Sequence, residues 1–250
     1  MPEELLAKIL SDELCLLPQS QPIMGLRNSR VEAREYLTHF RDSAGQEYST
    51  GFLLQSQQIP FNLRVALDMK CLETTFAALA QLPKNLPHLH FVNLEPNTLE
   101  SDKFWEALPR WLEGLRISHE QVVMEFTEAQ SIHDLDELKD FARRLREQGL
   151  RIAVDDLGSG VASLSHMARL APDFIKADRS LVHQAHRRPY QAALLNALAH
   201  FAQAMRVGFI AEGIETPEEL QAVIDADVPW GQGYVFGKPV LGIPELKEGA

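Results

Sequence analysis

The chain has 250 residues, with 24 Lys and Arg against 35 Asp and Glu, a formal charge of −11. Hydrophobic residues make up 45% and charged ones 24%, which excludes a disordered chain, a collagen-like repeat and a disulfide scaffold. The acidic balance argues against a purely electrostatic grip on DNA or RNA duplex or on an anionic membrane, and a phosphorylated ligand would need its charge met locally, by metal ions. The two cysteines, Cys15 and Cys71, fit free thiols in a reducing compartment. Met1-Pro2-Glu3-Glu4 has no basic n-region, and no apolar run approaches the roughly 20 residues that span a bilayer. A cytoplasmic location follows as the expectation. No Pro/Gly/Ser linker divides the sequence, so residues 1–250 are read as one domain of barrel size.

In chain order, helical spacing covers residues 63–80, a short apolar run covers 89–92, and helical spacing returns over 101–115. A run at 122–124 precedes a helix over 135–148, which ends at Gly149 as its C-cap. Runs at 151–154 and 174–176 lead to a helix over 190–205. A last run at 207–210 is followed by a helix over 217–226, with Thr216 as N-cap and Pro217 at its first position. The runs are short and nearly continuous, as strands buried on both faces are. This alternation predicts a parallel sheet, and a closed barrel or an open doubly wound sheet both fit it.

Acids follow almost every run on its C-terminal side. Val92 precedes Asn93, Met124 precedes Glu125 with Glu128 beyond, and Val154 precedes Asp155-Asp156. Ile175 precedes Lys176, with Asp178 two residues on. Ala211 precedes Glu212, with Glu215 three residues on. An earlier run ends at Glu35, before Tyr36-Leu37. In a parallel barrel these ends share one face, where active sites form. Eight carboxylates converging on one lysine need further positive charge, and hard oxygen donors suit Mg or Mn.

Each residue alone also fits an ordinary structural role. Asp155-Asp156 before Gly158 fits a turn, Glu125 and Glu128 fit the first turn of a helix, and Lys176 with Asp178 fits an ion pair. Thr127 and Thr216 fit simple caps. Leu157-Gly158-Ser159-Gly160 fits a turn better than a phosphate nest. His88 and His90 precede the Asn93 end and fit packing or surface positions. The apolar spacing over 192–204 fits core or a subunit contact. Five separate strand ends carrying acids together are harder to assign to such roles.

The ordered set Gln21-Pro22-Ile23, Glu35-Tyr36-Leu37, Val92-Asn93-Leu94, Glu125-Phe126-Thr127-Glu128, Asp155-Asp156-Leu157-Gly158-Ser159-Gly160, Lys176-Ala177-Asp178-Arg179-Ser180, Ala211-Glu212-Gly213-Ile214-Glu215-Thr216 and Gln232-Gly233-Tyr234 resembles the EAL-domain phosphodiesterases. That family hydrolyses the bacterial messenger cyclic di-GMP. The resemblance spans about residues 21–239. It implies a modified TIM (β/α)8 barrel with one antiparallel strand, and hydrolysis of cyclic di-GMP to linear pGpG. It implies two divalent cations, Mg or Mn. Glu35, Asn93, Glu125 and Asp155 would hold one, and Asp155, Asp156 and Glu212 the other, with Asp155 bridging. By the same resemblance Lys176 helps activate the attacking water, Asp178 supports the water network and Gln232 lies close to water and substrate. Gln21, Leu37 and the position of His39 would meet the substrate. Glu128 would order the loop after Asp156, with Glu215 as an outer support. A homodimer is implied too, as is a place within a longer protein, because sensor or GGDEF domains often precede this module.

Four departures stand out. Tyr36 replaces the alanine of the signature triplet. His39 stands where the family has an arginine on a ligand phosphate. Losing that charge-assisted hydrogen bond costs about 1.5–3 kcal/mol, or roughly one to two decades of affinity. Leu157, Ser159 and Val161 replace Phe, Thr and Tyr, and Gln57 replaces a glutamate. A second reading is therefore a catalytically weak domain that acts as a cyclic di-GMP receptor or protein-interaction module. A third is a metal-dependent barrel with enolase-like proton abstraction, for which the base arrangement is missing.

Overall fold

The computed structural model describes residues 2–42, 44–54, 56, 58–84, 86–127, 135–157 and 170–242. Its elements are α1 (Pro2–Leu10), β1 (Leu16–Gly25), β2 (Arg30–Arg41), β3 (Glu47–Ser49), α2 (Gly51–Leu54), α3 (Phe61–Leu79), β4 (Leu89–Asn93), α4 (Asp102–Glu113), β5 (Val122–Thr127), α5 (Leu135–Glu147), β6 (Arg151–Leu157), β7 (Phe174–Ala177), α6 (Arg179–Val182), α7 (Pro189–Met205), β8 (Gly208–Ala211), α8 (Pro217–Asp225), β9 (Trp230–Gln232) and β10 (Val240–Leu241). The five helices read from spacing begin and end within two residues of α3, α4, α5, α7 and α8. Gly149 adopts φ +82 after α5, and Leu150 N reaches back to Leu145 O at 3.2 Å, the left-handed exit that glycine permits. At α8, Thr216 Oγ1 accepts from Glu219 N at 3.2 Å and Glu219 Oε2 accepts from Thr216 N at 3.3 Å, a capping box.

Strands β1, β9, β8, β7, β6, β5, β4 and β2 neighbour one another in that order, and β1 also pairs with β2. The sheet therefore closes into an eight-stranded barrel, and the open-sheet alternative is excluded. Every pair from β2 round to β9 is parallel. Strand β1 runs against both its neighbours. Its Pro18 and Pro22 fall outside the stretches 19–20 and 23–25 that pair with β10 and β9, so their missing N–H groups cost no ladder bond on that side.

Strands β1, β3, β9 and β10 are not among the expected runs, and β2 is longer than expected. The run thought to end at Glu35 continues to Arg41, because beyond the barrel β2 still pairs with β1 and β3. Its pairing with β4 covers only residues 33–36, so Glu35 is at the end of the barrel wall but not of the strand.

Packing follows the alternation of the strands. Outward residues such as Val92, Met124, Ile152 and Ile175 join the helices in the main core. Inward residues Ile23, Ala33, Phe91, Val123, Ala153, Phe174 and Ile210 fill the barrel lumen. A smaller cluster, including Leu6 and Ile9 of α1, Phe40 and Leu67, seals the β2 extension. Gly208 is required beside the lumen, because a Cβ there would enter the Phe174 ring. Among the described residues no helix is long and apolar enough to cross a membrane.

Candidate active site

Strand side chains alternate faces, so the residue two positions beyond a lumen residue also points inward, one layer nearer the strand end. Two beyond Ala33, Phe91, Val123, Ala153, Phe174 and Ile210 lie Glu35, Asn93, Glu125, Asp155, Lys176 and Glu212. Two beyond Trp230, which packs against the lumen cluster, lies Gln232. Strand β1 runs the other way, so Gln21 reaches this layer two positions before Ile23. An apolar plug thus carries a polar layer contributed by all eight strands.

Lys176 is 1% exposed and lies at the centre of this layer. Its Nζ lies 3.2 Å from Glu35 Oε2 and 3.9 Å from Asp155 Oδ1, and it bonds Glu125 Oε1 and Glu212 Oε1 more closely. The reading of Lys176 with Asp178 as a structural pair is thereby replaced, since its partners come from four other strands. Burial disfavours its charge, but Asp155, Glu125, Glu212 and Glu35 hold the ammonium well above its ordinary pKa. Burial likewise pushes the Glu35 carboxyl up, yet Lys176 and hydrogen bonds from Asn93 and Gln232 bring it below the usual range. Glu125 and Glu212 are raised well above theirs by burial and by neighbouring carboxylates.

Asn93 Nδ2 donates to Glu35 Oε1 at 3.0 Å and to Tyr36 O at 3.3 Å, which ties β2 to β4 at the site. Asp156 adopts φ +61 where the register between β6 and β7 shifts from Val154 to Leu157. Asp155-Asp156 is therefore a bulge within a strand, not a turn, and Glu125 is a strand residue, not a first-turn helix acid. Burial, with Asp155 and Asp178 nearby, pushes the Asp156 carboxyl up to about 6.

Oxygens of Glu35, Glu125 and Glu212 lie within 4.8 Å of one another, as do those of Asp155, Asp156 and Glu212. The second triplet is the set that the resemblance assigns to one metal, and Glu212 belongs to both. The donors fit hard divalent cations: they are oxygens, they outnumber the single lysine, and Glu125 Oε2 is buried without a hydrogen-bond partner.

A cavity of about 300 Å³ opens beside this layer, with Glu35, Leu37, Thr50, Asn93 and Asp156 in its wall. Of the three residues assigned to substrate, Leu37 alone lines it. His39 pairs with Leu17 and Ser49 beyond the barrel, and its buried Nδ1 has no partner. Gln21 spends its amide on Gly237 O and Gln232. Asp178 caps α6 by accepting from Ser180 N at 2.9 Å. Glu215 makes a paired contact with Arg179, at 3.1 and 3.0 Å, at the exposed mouth. Glu128 and Gln57 lie outside the described residues, as does the loop that carries Ser159 and Val161.

The sequence reading passed over two wall residues, Asp68 and Glu95. Asp68 is 3% exposed, accepts from Glu95 N at 3.1 Å and is pushed up to about 7 by burial, as is Glu95. The available signal was an acid on the apolar face of α3, beside Leu67, Cys71 and Leu72. Tyr36, which replaces the family's alanine, is 2% exposed on the outer face, and its hydroxyl meets His90 Nδ1 at 3.0 Å. His90 is thus a buried packing residue.

A family model described as EAL domain matches residues 3–239. The chain is 26% identical over 230 residues to the cyclic di-GMP phosphodiesterase PdeF of Escherichia coli, covering 92% of this chain and 30% of that protein. It is 29% identical over 225 residues to the probable cyclic di-GMP phosphodiesterase PdeN of the same organism, covering 88% and 42%. It is 30% identical over 159 residues to the blue light- and temperature-regulated antirepressor BluF of E. coli, covering 62% and 39%. The chain thus spans less than half the length of these relatives. Klebsiella pneumoniae BlrP1, solved with calcium and cyclic di-GMP, matches with a TM-score of 0.80 at 28% identity, over 91% of this chain and 57% of that one.

Proposed function

Because the chain belongs to the EAL-domain family, we propose that it hydrolyses cyclic di-GMP to linear pGpG at the mouth of its barrel. The observation that carries this reading is the convergence of Glu35, Asn93, Glu125, Asp155, Asp156 and Glu212 around Lys176, at the ends of separate strands. Relatives named as cyclic di-GMP phosphodiesterases support the substrate, and the calcium and manganese complexes of BlrP1 support a divalent metal.

The six residues around Lys176 would hold two divalent cations, Mg or Mn. When bound, these supply a lowered pKa for water and charge neutralisation at the phosphate, which lets an acidic protein take an anionic ligand. The remaining roles belong to the chain itself. Lys176 stays charged among four carboxylates and is assigned to orient the attacking water through the charge of its ammonium group. Asn93 and Gln232 each hold one oxygen of Glu35 and so fix its rotamer. Asp178 gives one oxygen to Ser180 N, and its other oxygen is assigned to the water network. Leu37 supplies an apolar contact in the cavity wall. The location is proposed as cytoplasmic. A homodimer is proposed as well, and the exposed Tyr190 and Leu194 of α7 give it an apolar face.

The experiment is cyclic di-GMP hydrolysis with Mn or Mg, followed by chromatography, beside Glu35→Ala. Formation of pGpG that vanishes in the variant is the expected result. The likeness to the antirepressor BluF, together with His39 in place of the family's arginine, favours a second reading as a receptor or protein-interaction module. Ligand binding without turnover at high enzyme concentration would select that reading over the first.

A further inference from the structure

We propose that Glu219 is a positioning residue, whose carboxylate ties the loop after β7, which begins at Asp178, to the loop after β8, which begins at Glu212. This inference rests on the phosphodiesterase reading for its consequence, but not for its geometry. Glu219 lies in the first turn of α8 and is 2% exposed. Its Oε2 accepts from Glu215 N at 3.0 Å and from Thr216 N at 3.3 Å. Its Oε1 accepts from Gln184 N and from His183 Nδ1, both at 3.1 Å. The carboxylate therefore collects four N–H groups, two from each loop.

A helix cap alone would need only half of this. A capping box is completed by glutamine as well as by glutamate, because one oxygen reaching back to the N-cap is enough. Joining two pairs of donors is different. Both ends of the side chain must accept, and only an ionised carboxylate does so. Burial pushes the Glu219 carboxyl up, but the backbone N–H groups of Glu215, Gln184 and Thr216, with His183, bring it below the usual range. Gln184 adopts φ +59, a left-handed conformation that a residue other than glycine keeps where its surroundings hold it. The N–H of that residue is the one that Glu219 Oε1 takes.

Two further contacts join the same loops. Gly213 stands at φ +64 beneath Arg179, where a Cβ would strike Arg179 Cγ. Arg179 forks onto Glu215 at the exposed mouth, and an exposed pair of this kind holds weakly. Glu219 supplies the buried tie. At the roots of the two loops, Lys176 bonds Glu212 and Glu212 N donates to Ala177 O at 3.0 Å. Asp178 and Glu212 both belong to the assigned machinery, so the spacing of the loops sets the spacing of those groups.

The test compares Glu219→Gln with Thr216→Val in the full chain. Glutamine keeps its oxygen on the cap and turns NH2 towards the Gln184 N–H, donor against donor, so the cap stays and the tie opens. Valine at position 216 does the reverse: it removes the hydroxyl that accepts from Glu219 N and leaves the carboxylate in place. Glu219→Asp, one methylene too short to reach both loops, serves if the glutamine variant does not fold. Steady-state kinetics on cyclic di-GMP with Mn are measured together with Tm and with amide hydrogen exchange by NMR. Glu219→Gln should lower kcat about tenfold with KM within about twofold and speed exchange at Gln184. Thr216→Val should lower Tm with kcat per folded molecule unchanged. An unchanged kcat in Glu219→Gln, or an equal loss of kcat in Thr216→Val, would reduce Glu219 to a helix cap and overturn the proposal. If the wild type proves inactive, the phosphodiesterase reading fails by itself. Exchange at Gln184 and the amide shifts of Asp178 and Glu212 then decide alone: changes in Glu219→Gln that Thr216→Val lacks support the tie, and their absence sinks it.

Discussion

Two layers of the same barrel, two residues apart on each strand, do opposite work. The lower one, Ile23, Ala33, Phe91, Val123, Ala153, Phe174 and Ile210, is apolar and buried. The upper one, Glu35, Asn93, Glu125, Asp155, Lys176, Glu212, Gln232 and Gln21, crowds four carboxylates around one ammonium ion. Burying an apolar side chain stabilises the fold by about 1.5–3 kcal/mol, whereas burying like charges together costs stability unless a cation meets them. The lower layer therefore supplies the rigidity on which the upper one is held. The upper layer keeps an arrangement that folding alone would not favour.

Lys176 is where this division should fail, and its variant carries the largest effect. Lys176→Met removes the one cation shared by four buried or half-buried carboxylates. It should destabilise the protein by about 3–5 kcal/mol and also lower turnover by about 10²–10⁴-fold. Chemical denaturation and kinetics on the folded fraction would show both losses. A stable variant would mean that the carboxylates relax by taking up protons.

Phe91→Ala cuts the lower layer alone. Phe91 is fully buried and packs edge-on against Phe174, with ring centroids 5.2 Å apart. The expected loss is about 3–5 kcal/mol of stability, with kcat per folded molecule close to wild type in the cold. Glu125→Gln cuts the upper layer alone. It keeps shape and removes a buried charge that neighbouring carboxylates oppose. Turnover should fall about 10²–10³-fold, as when a well-aimed electrostatic group is lost, while Tm holds or rises. If Glu125→Gln melted as early as Phe91→Ala, the separation of the two layers would be lost.

The contrast also explains what could be read in advance. Apolar runs and the acids behind them both lie on contiguous strands, so the alternation and the residues from Asn93 to Glu212 were legible. Closure and the reversed strand were not legible from the alternation and came only with the family resemblance, because they depend on β1, whose Pro18 and Pro22 hide a strand, and on a direction that periodicity does not encode. The length of β2 was hidden because its last residues, His39 among them, pair outside the barrel. Glu215 looked like a strand-end acid, but its partner Arg179 opens α6 and only the fold joins them. Asp68 gave only a weak signal, because a single acid on an apolar helix face carries no motif.

Asp68 gives the smallest effect and tests whether buried charge outside the barrel obeys the same rule. Its carboxyl is pushed up by burial from the ordinary 3.8 to about 7. A raised acid binds its proton more tightly in the folded state than in the unfolded one. Between those two values the folded state therefore holds more protons, and stability falls as pH rises. Below the window the carboxyl is protonated in both states, and above it the penalty is constant. Asp68→Asn should flatten this part of the stability profile, with the variant gaining on wild type as pH climbs from 4 to 7. Glu95 lies beside it and is also pushed up to about 7, so some slope should remain until Glu95→Gln is added. Denaturant midpoints across that range measure the difference. A wild-type profile that instead rises from 4 to 7, with no convergence in the double variant, would mean that Asp68 is ionised and stabilised in the folded wall, opposite to the environment that its burial among Leu67, Cys71 and Leu72 describes.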